Sequence, residues 1–107
     1  MAYESNSIFW IEIEKVVPNP FQPRREFDPV KLQELADSIR MYGILQPLTV
    51  TRREIMGEHG SFSTEYELID GERRLRASKL AGLTQVPVII RTGEESQLMK
   101  LELAIIE

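Results

Sequence analysis

A glycine followed by one carboxylate and a cluster of arginines stands in the stretch IDGERRLRASKLAG, residues 69–82. The residues before Gly71 predict a strand and those after it predict a helix. Such a turn leaves amide N–H groups exposed at the helix start, where the helix dipole adds about half a positive charge. Phosphates bind readily there. Three guanidinium groups could hold a polyphosphate through charge-assisted hydrogen bonds, those of Arg73, Arg74 and Arg76.

Two interpretations of these arginines stay open from the residue types alone. An arginine in the first turn opposes the helix dipole by about 0.3 to 1 kcal/mol at an exposed site, which favours an anionic ligand as the reason for the cluster. Arginines beside acidic residues also form ordinary solvated helix faces. Glu72 is the residue type that the dipole favours, and it could cap the helix or pair with a neighbouring arginine.

A second pair of arginines lies in the segment PNPFQPRREF, residues 18–27. Its three prolines fix φ and remove amide donors, so we expect a stiff, extended connector. Gln22 and Arg24 could project from this connector towards the same place as the glycine box. The alternative is a surface loop whose charges bind nothing.

The elements that must position these residues follow from apolar periodicity and from capping residues. Leu32, Leu35 and Ile39 share one face of the first helix, which Asp28 and Pro29 begin and Gly43 ends. Thr92 and Glu95 form a capping box for the last helix. The predicted order is a strand over 8–17, the helix over 29–42, strands over 45–55 and 65–69 joined by a turn, a helix over 72–83, a buried strand over 86–90, and a helix from 92 onward.

Composition limits the classes of function. The 107 residues suffice for one domain, and they include no cysteine, which excludes disulfides, thiolate metal sites and a cysteine nucleophile. A net charge of −4 argues against a generalised nucleic-acid surface. We find no leader peptide and no membrane-length apolar stretch, so we expect a cytoplasmic protein without a membrane partner.

Four motifs in fixed order resemble the N-terminal domain of ParB, the bacterial chromosome and plasmid partitioning family. They are PNPFQPRREFD, then LQELADSI with GILQPL, then GERRLRA, then AGLTQVPVII, and the likeness covers about residues 10 to 107. The resemblance implies an α+β domain over residues 1–107 with a sulfiredoxin-like fold, a small mixed sheet and about three helices. The apolar residues near the end imply that this domain is truncated at its C-terminus.

The resemblance also implies a function, a CTP-dependent clamp on DNA in which CTP and Mg²⁺ bind this domain and drive two such domains together. Gln22 and Arg24 match the first nucleotide box, and Arg74 is expected to be the principal ligand of the second. The remaining matches to the second box are Gly71, Glu72, Arg73, Arg76 and Ala77. Glu107 is the only residue of the third box present, and we expect it to contribute to the metal site.

Further expectations concern activity and partners. The full-length protein is expected to be a slow CTPase at the nucleoid, whereas this 107-residue chain is expected to be inactive and to bind nucleotide weakly or not at all. DNA would be bound only through the full-length protein, because no helix-turn-helix is present. A ParA-type ATPase is a further partner that the resemblance implies.

Two other functions share the fold. Sulfiredoxin activity needs a cysteine in the glycine box, and Glu72 stands in its place. A nucleotide-dependent small-molecule kinase or a ParB-like nuclease would instead use Glu72 as a general base, which requires its carboxylate to lie within hydrogen-bond reach of the proton that it removes.

Overall fold

The structure, a computed structural model, describes residues 6–19 and 26–106. In this part of the chain five strands and three α-helices occur, which confirms the predicted α+β class with a small mixed sheet. In chain order they are β1 (Ile8–Glu12), β2 (Val16–Val17), α1 (Pro29–Tyr42), β3 (Leu48–Met56), β4 (Phe62–Asp70), α2 (Glu72–Leu80), β5 (Gln85–Arg91) and α3 (Gly93–Ile106).

The sheet has the strand order β1-β5-β3-β4-β2 and mixes both pairing directions. β1 runs antiparallel to β5, and β3 runs antiparallel to β4. β3 is parallel to β5, and β2 is parallel to β4. β3 and β4 form the predicted hairpin, in which Met56 pairs with Phe62. The two strands next to the glycine turn, β4 and β3, therefore lie inside the sheet.

The prediction of one strand over residues 8–17 is wrong. A 3₁₀ turn, Ile13–Lys15, separates β1 from β2, and the amide of Ile13 donates to the carbonyl of Thr84 at 2.9 Å. The two short strands lie at opposite ends of the strand order. A flat sheet would hold those edges ~19 Å apart, but the four Cα-to-Cα steps from Glu12 to Val16 span at most ~14 Å. The sheet must therefore curl, which an apolar pattern alone cannot reveal.

The core forms on the two sides of α2. Leu75 packs with the buried residues of the sheet, which include Val16, Leu48, Val50, Leu68, Val86 and Val88. Ala77 packs with Ala36 and Ile39 of α1. Because α2 is held between the sheet and α1, its first turn has a fixed position at the end of β4.

The predicted capping residues of α1 and α3 are found at the ends of these helices. Asp28 accepts hydrogen bonds from the amides of Val30 and Lys31, and Gly43 ends α1 with φ 78°, both as predicted. In the capping box of α3, Thr92 and Glu95 exchange two hydrogen bonds of 3.1 and 3.2 Å, which confirms that prediction too.

Three predicted boundaries are wrong. β4 begins at Phe62 rather than at residue 65, because the pairing with β3 continues to Met56 and leaves only residues 57–61 for the turn. β3 begins at Leu48 rather than at residue 45, because Pro47 has no amide to donate to a strand partner. α2 ends at Leu80 rather than at residue 83, since the chain leaves the helix before Gly82, where φ is 80°. Within the described ranges, none of the helices combines the length and the apolar character needed to cross a membrane.

Candidate anion site at the start of the second long helix

The glycine turn leaves the first turn of α2 without a side-chain cap. Gly71 adopts φ 114° and ψ 29°, and α2 begins at the next residue. The first intrahelical bond is donated by the amide of Leu75 to the carbonyl of Gly71 at 2.8 Å. The amides of residues 72–74 precede this bond and have no acceptor within the helix. They can therefore donate to an anion, as the sequence predicts.

Space as well as conformation requires glycine at position 71. A Cβ atom there would lie 2.6 Å from Cδ2 of Leu48 and 3.3 Å from Cζ of Arg74. Leu48 is fully buried and cannot move aside without disturbing the core. The turn therefore packs directly on the core and on the arginine that follows it.

Arg74 is held by main-chain oxygens. Its Nη1 donates to the carbonyl of Gln46 at 3.0 Å and to that of Pro47 at 2.6 Å. Its Nη2 lies 3.7 Å from the carboxylate of Asp70, and the side chain is 20% exposed. The sequence predicts Arg74 as the principal phosphate ligand, but its hydrogen bonds here are made to the loop before β3.

Glu72 and Arg76 form a pair on the flank of the same helix. The Nε of Arg76 donates to Oε2 of Glu72 at 3.3 Å, and the carboxylate is 8% exposed. The guanidinium of Arg76 also lies over the ring of Phe27, 4.4 Å from its centroid. The pairing of Glu72 with a neighbouring arginine, one of the two predicted alternatives, is thus the one observed. To act as a general base, Glu72 would first have to leave this ion pair.

Arg73 is exposed, and within the described part of the chain it makes no hydrogen bond or ion pair. Ala77 is fully buried between α2 and α1, so its side chain supports the site only by packing. The interpretation as a solvated face thus fits Arg73 alone, since Arg74 and Arg76 have specific partners. Gln22, Arg24 and Glu107 lie outside the described residues.

The described residues away from the start of α2 include an open depression but no metal-binding cluster. The described residues contain no group of three His, Cys, Asp or Glu side chains that could hold a metal ion. An open depression lies beyond the C-terminal end of α2. Because its lining has two carboxylates and no cation, it does not suit an anionic ligand. The lining residues are Glu12, Ile13, Glu14, Leu83, Thr84 and Gln85.

Sequence reasoning missed three residues of this region. Gln46 and Pro47 contribute only carbonyl oxygens, which every residue type carries, so no pattern could have predicted them. Phe27 could have been suspected, because it ends the connector and arginine commonly stacks on aromatic rings.

The profile of the family described as the ParB N-terminal domain matches residues 1–107. The chain belongs to this family. It is 45% identical over 97 residues to stage 0 sporulation protein J of Bacillus subtilis, covering 91% of this chain and 30% of that protein. It is 39% identical over 107 residues to the probable chromosome-partitioning protein ParB of Campylobacter jejuni, covering 100% of this chain and 34% of that protein. The chain thus spans about a third of the length of these relatives.

Solved structures confirm the predicted fold family. C-terminally truncated ParB from Caulobacter crescentus complexed with CTP-γ-S has a TM-score of 0.72 at 38% identity, covering 94% of this chain and 51% of that one. The same protein complexed to the centromeric parS site has a TM-score of 0.65 at 39% identity, covering 92% of this chain and 46% of that one. Sulfiredoxin from Arabidopsis thaliana has a TM-score of 0.65 at 29% identity, covering 89% of this chain and 97% of that one.

Proposed function

We propose that this domain binds CTP at the start of α2, as part of a chromosome-partitioning protein that acts on DNA. The proposal rests on one observation above all. Among the described residues Arg73 has no hydrogen-bond or ion-pair partner, and it lies in the first turn of a helix whose N-cap residue, Gly71, has no side chain. The ParB structure complexed with CTP-γ-S supports CTP as the nucleotide.

The residues of the turn fit a polyphosphate. Gly71 lets phosphate oxygens approach the backbone, and the amides of the first turn supply donors at the positive end of the helix dipole. Arg73 supplies a charge-assisted hydrogen bond. Arg76 could join it by leaving Glu72, because its side chain is 47% exposed.

We further propose that residues outside the described ranges complete the binding site. Gln22 and Arg24 would form its second wall, since Phe27 at the end of the connector contacts Arg76. Mg²⁺ usually binds through one or two carboxylates together with the phosphates of the substrate. Glu107 is the carboxylate that we assign to it.

In the full-length protein we propose that nucleotide binding here accompanies the association of two such domains around DNA, with slow CTP hydrolysis. The ParB structure complexed to the parS site supports DNA as the partner. A ParA-type ATPase as partner and a cytoplasmic, nucleoid-associated location, on a chromosome or a plasmid, belong to the same proposal.

The test is calorimetric titration of the protein in its natural length with CTP and Mg²⁺, and with ATP in place of CTP. We expect CTP to bind more tightly than ATP. Arg73→Gln should weaken CTP binding about tenfold or more, because a charge-assisted hydrogen bond contributes about 1.5 to 3 kcal/mol. We expect the isolated 107-residue chain to bind CTP more weakly.

The matched control is Arg52→Gln, which removes the same charge from an exposed arginine of β3 that pairs with Glu54. It should leave the affinity unchanged. Absence of CTP binding by the natural-length protein would refute the proposal, and so would equal losses in the two variants.

A further inference from the structure

The loop between α1 and β3, residues 43–47, is anchored at its start by Ile44, which packs against both core clusters. Leu45 is 86% exposed and Gln46 is exposed, so neither of these side chains anchors the rest of the loop in the core. Two consecutive carbonyls of this loop, those of Gln46 and Pro47, accept hydrogen bonds from the same Nη1 atom of Arg74. Hydrogen bonds from a charged donor are stronger than those from a neutral one. Arg74 therefore adds a polar connection between the end of this loop and α2 to the apolar packing of Ile44.

The guanidinium of Arg74 lies between the loop and the glycine turn. The place that a Cβ atom of Gly71 would take is 3.3 Å from Cζ and 3.4 Å from Nη2 of Arg74. The same Nη2 lies 3.7 Å from the carboxylate of Asp70, the last residue of β4. One side chain thus contacts the end of β4, the turn and the loop.

Arg74 and Arg73 differ in what they would lose by binding a phosphate. Arg74 would have to release two carbonyls that no other described donor satisfies. That of Pro47 is partly buried, and a buried carbonyl left without a hydrogen bond is unfavourable. Arg73 has no described partner to release. Binding a ligand phosphate therefore costs less free energy at Arg73 than at Arg74.

We infer that Arg74 is a positioning residue, which ties the loop over residues 43–47 to the glycine turn, and that Arg73 is the arginine of this turn that contacts the ligand. The contact with a nucleotide rests on the proposed function above. The tie between the loop and the turn is made by residues of the protein itself and does not depend on the proposed function.

The first experiment therefore uses no ligand. Backbone ¹⁵N order parameters are measured in the natural-length protein for the wild type, Arg74→Gln and the matched control Arg73→Gln. We expect the order parameters of Leu45 and Gln46 to fall from about 0.85 towards about 0.6 in Arg74→Gln. They should be unchanged in Arg73→Gln, and the order parameters of β4 and β5 should stay high in both variants. Unchanged loop order parameters in Arg74→Gln, or an equal fall throughout the molecule, would overturn the inference.

The second experiment compares CTP with CDP. A positioning residue affects the shape of the site, so Arg74→Gln should weaken CTP and CDP by the same factor. A loss confined to CTP, with loop order parameters as high as in the wild type, would instead make Arg74 a direct ligand of the terminal phosphate and refute the inference. If the wild type binds neither nucleotide, the proposed function fails, whereas the order-parameter experiment still decides the role of Arg74.

A third measurement needs no Arg74 variant and serves if Arg74→Gln does not fold. The guanidinium ¹⁵N resonances of the wild type are recorded with and without CTP and Mg²⁺, and are assigned with Arg73→Gln. The Arg73 signal should shift on CTP addition, while the Arg74 signal should already show restricted rotation without ligand and stay in place. A large shift of the Arg74 signal alone would contradict the assignment.

Discussion

Gly71 satisfies two separate demands of the candidate site. Its φ of 114° is a backbone conformation that residues with a side chain rarely adopt. The 2.6 Å between its missing Cβ position and Cδ2 of Leu48 leaves no room for a methyl group. The backbone strain and the packing clash are independent, so a substitution should suffer from both.

The comparison of Gly71→Ala with Gly82→Ala separates these demands. Gly82 also has positive φ, 80°, but a Cβ atom there would meet nothing within 4 Å. We expect Gly82→Ala to lower the free energy of unfolding by about 1 kcal/mol from backbone strain alone. Gly71→Ala should lower it by about 2 to 4 kcal/mol, because overpacking against Leu48 adds to the strain. Denaturant titration measures both free energies of unfolding. Equal losses would show that Leu48 moves aside without an energetic penalty.

The sequence predicts the residue types of the candidate site better than their contacts. The glycine, the uncapped helix start and the arginines could be read from spacing, because helix ends are decided by a few neighbouring residues. The hydrogen bonds of Arg74 to two carbonyls could not be predicted from spacing, since they depend on where the loop between α1 and β3 lies relative to α2. The choice between a solvated face and a held guanidinium is made by tertiary contacts of this kind.

Elements whose ends are set by neighbouring residues are predicted from the sequence, whereas elements that depend on contacts distant in sequence are not. α1 has the predicted ends, because Asp28, Pro29 and Gly43 act within one turn of the helix. Residues 8–17 fail as one strand, because the 3₁₀ turn is stabilised by a hydrogen bond from Ile13 to Thr84, which is distant in sequence. Periodicity indicates which residues face the core, and it carries no information on which edge of the sheet they join.

The N-cap of α1 supports the candidate site indirectly, because α1 packs on α2 and leads into the loop that Arg74 contacts. Asp28→Ala removes the acceptor for the amides of Val30 and Lys31, and we expect it to lower the free energy of unfolding by about 1 kcal/mol. The control is Asp37→Ala on the same helix. Asp37 pairs with Arg40 while both are largely exposed, so its loss should be within about 0.5 kcal/mol. Thermal unfolding measures both, and a larger loss for Asp37→Ala would contradict the capping argument.

α3 is attached to the rest of the molecule differently from the other two helices. Among its described side chains none is buried, whereas α1 buries two and α2 buries four. Its most specific contact is the ion pair of Lys100 with Glu67, a carboxylate of β4 that is 9% exposed. Glu67 also pairs with Arg53 of β3 at 3.1 Å. The carboxylate would therefore keep a partner if α3 moved away.

This arrangement makes α3 the part of the domain that should open at the lowest free energy. Lys100→Met keeps an unbranched apolar side chain and removes the charge, so Glu67 retains only Arg53. We expect the amides of α3 to exchange about five- to tenfold faster, since a partly buried ion pair contributes about 1 kcal/mol. The amides of β3 and β4 should keep their protection. Lys79→Met, which removes the same charge from an exposed position of α2, should leave α3 unchanged. If α3 stays equally protected in Lys100→Met, the half-buried Met99 and Leu103 hold the helix instead of the ion pair.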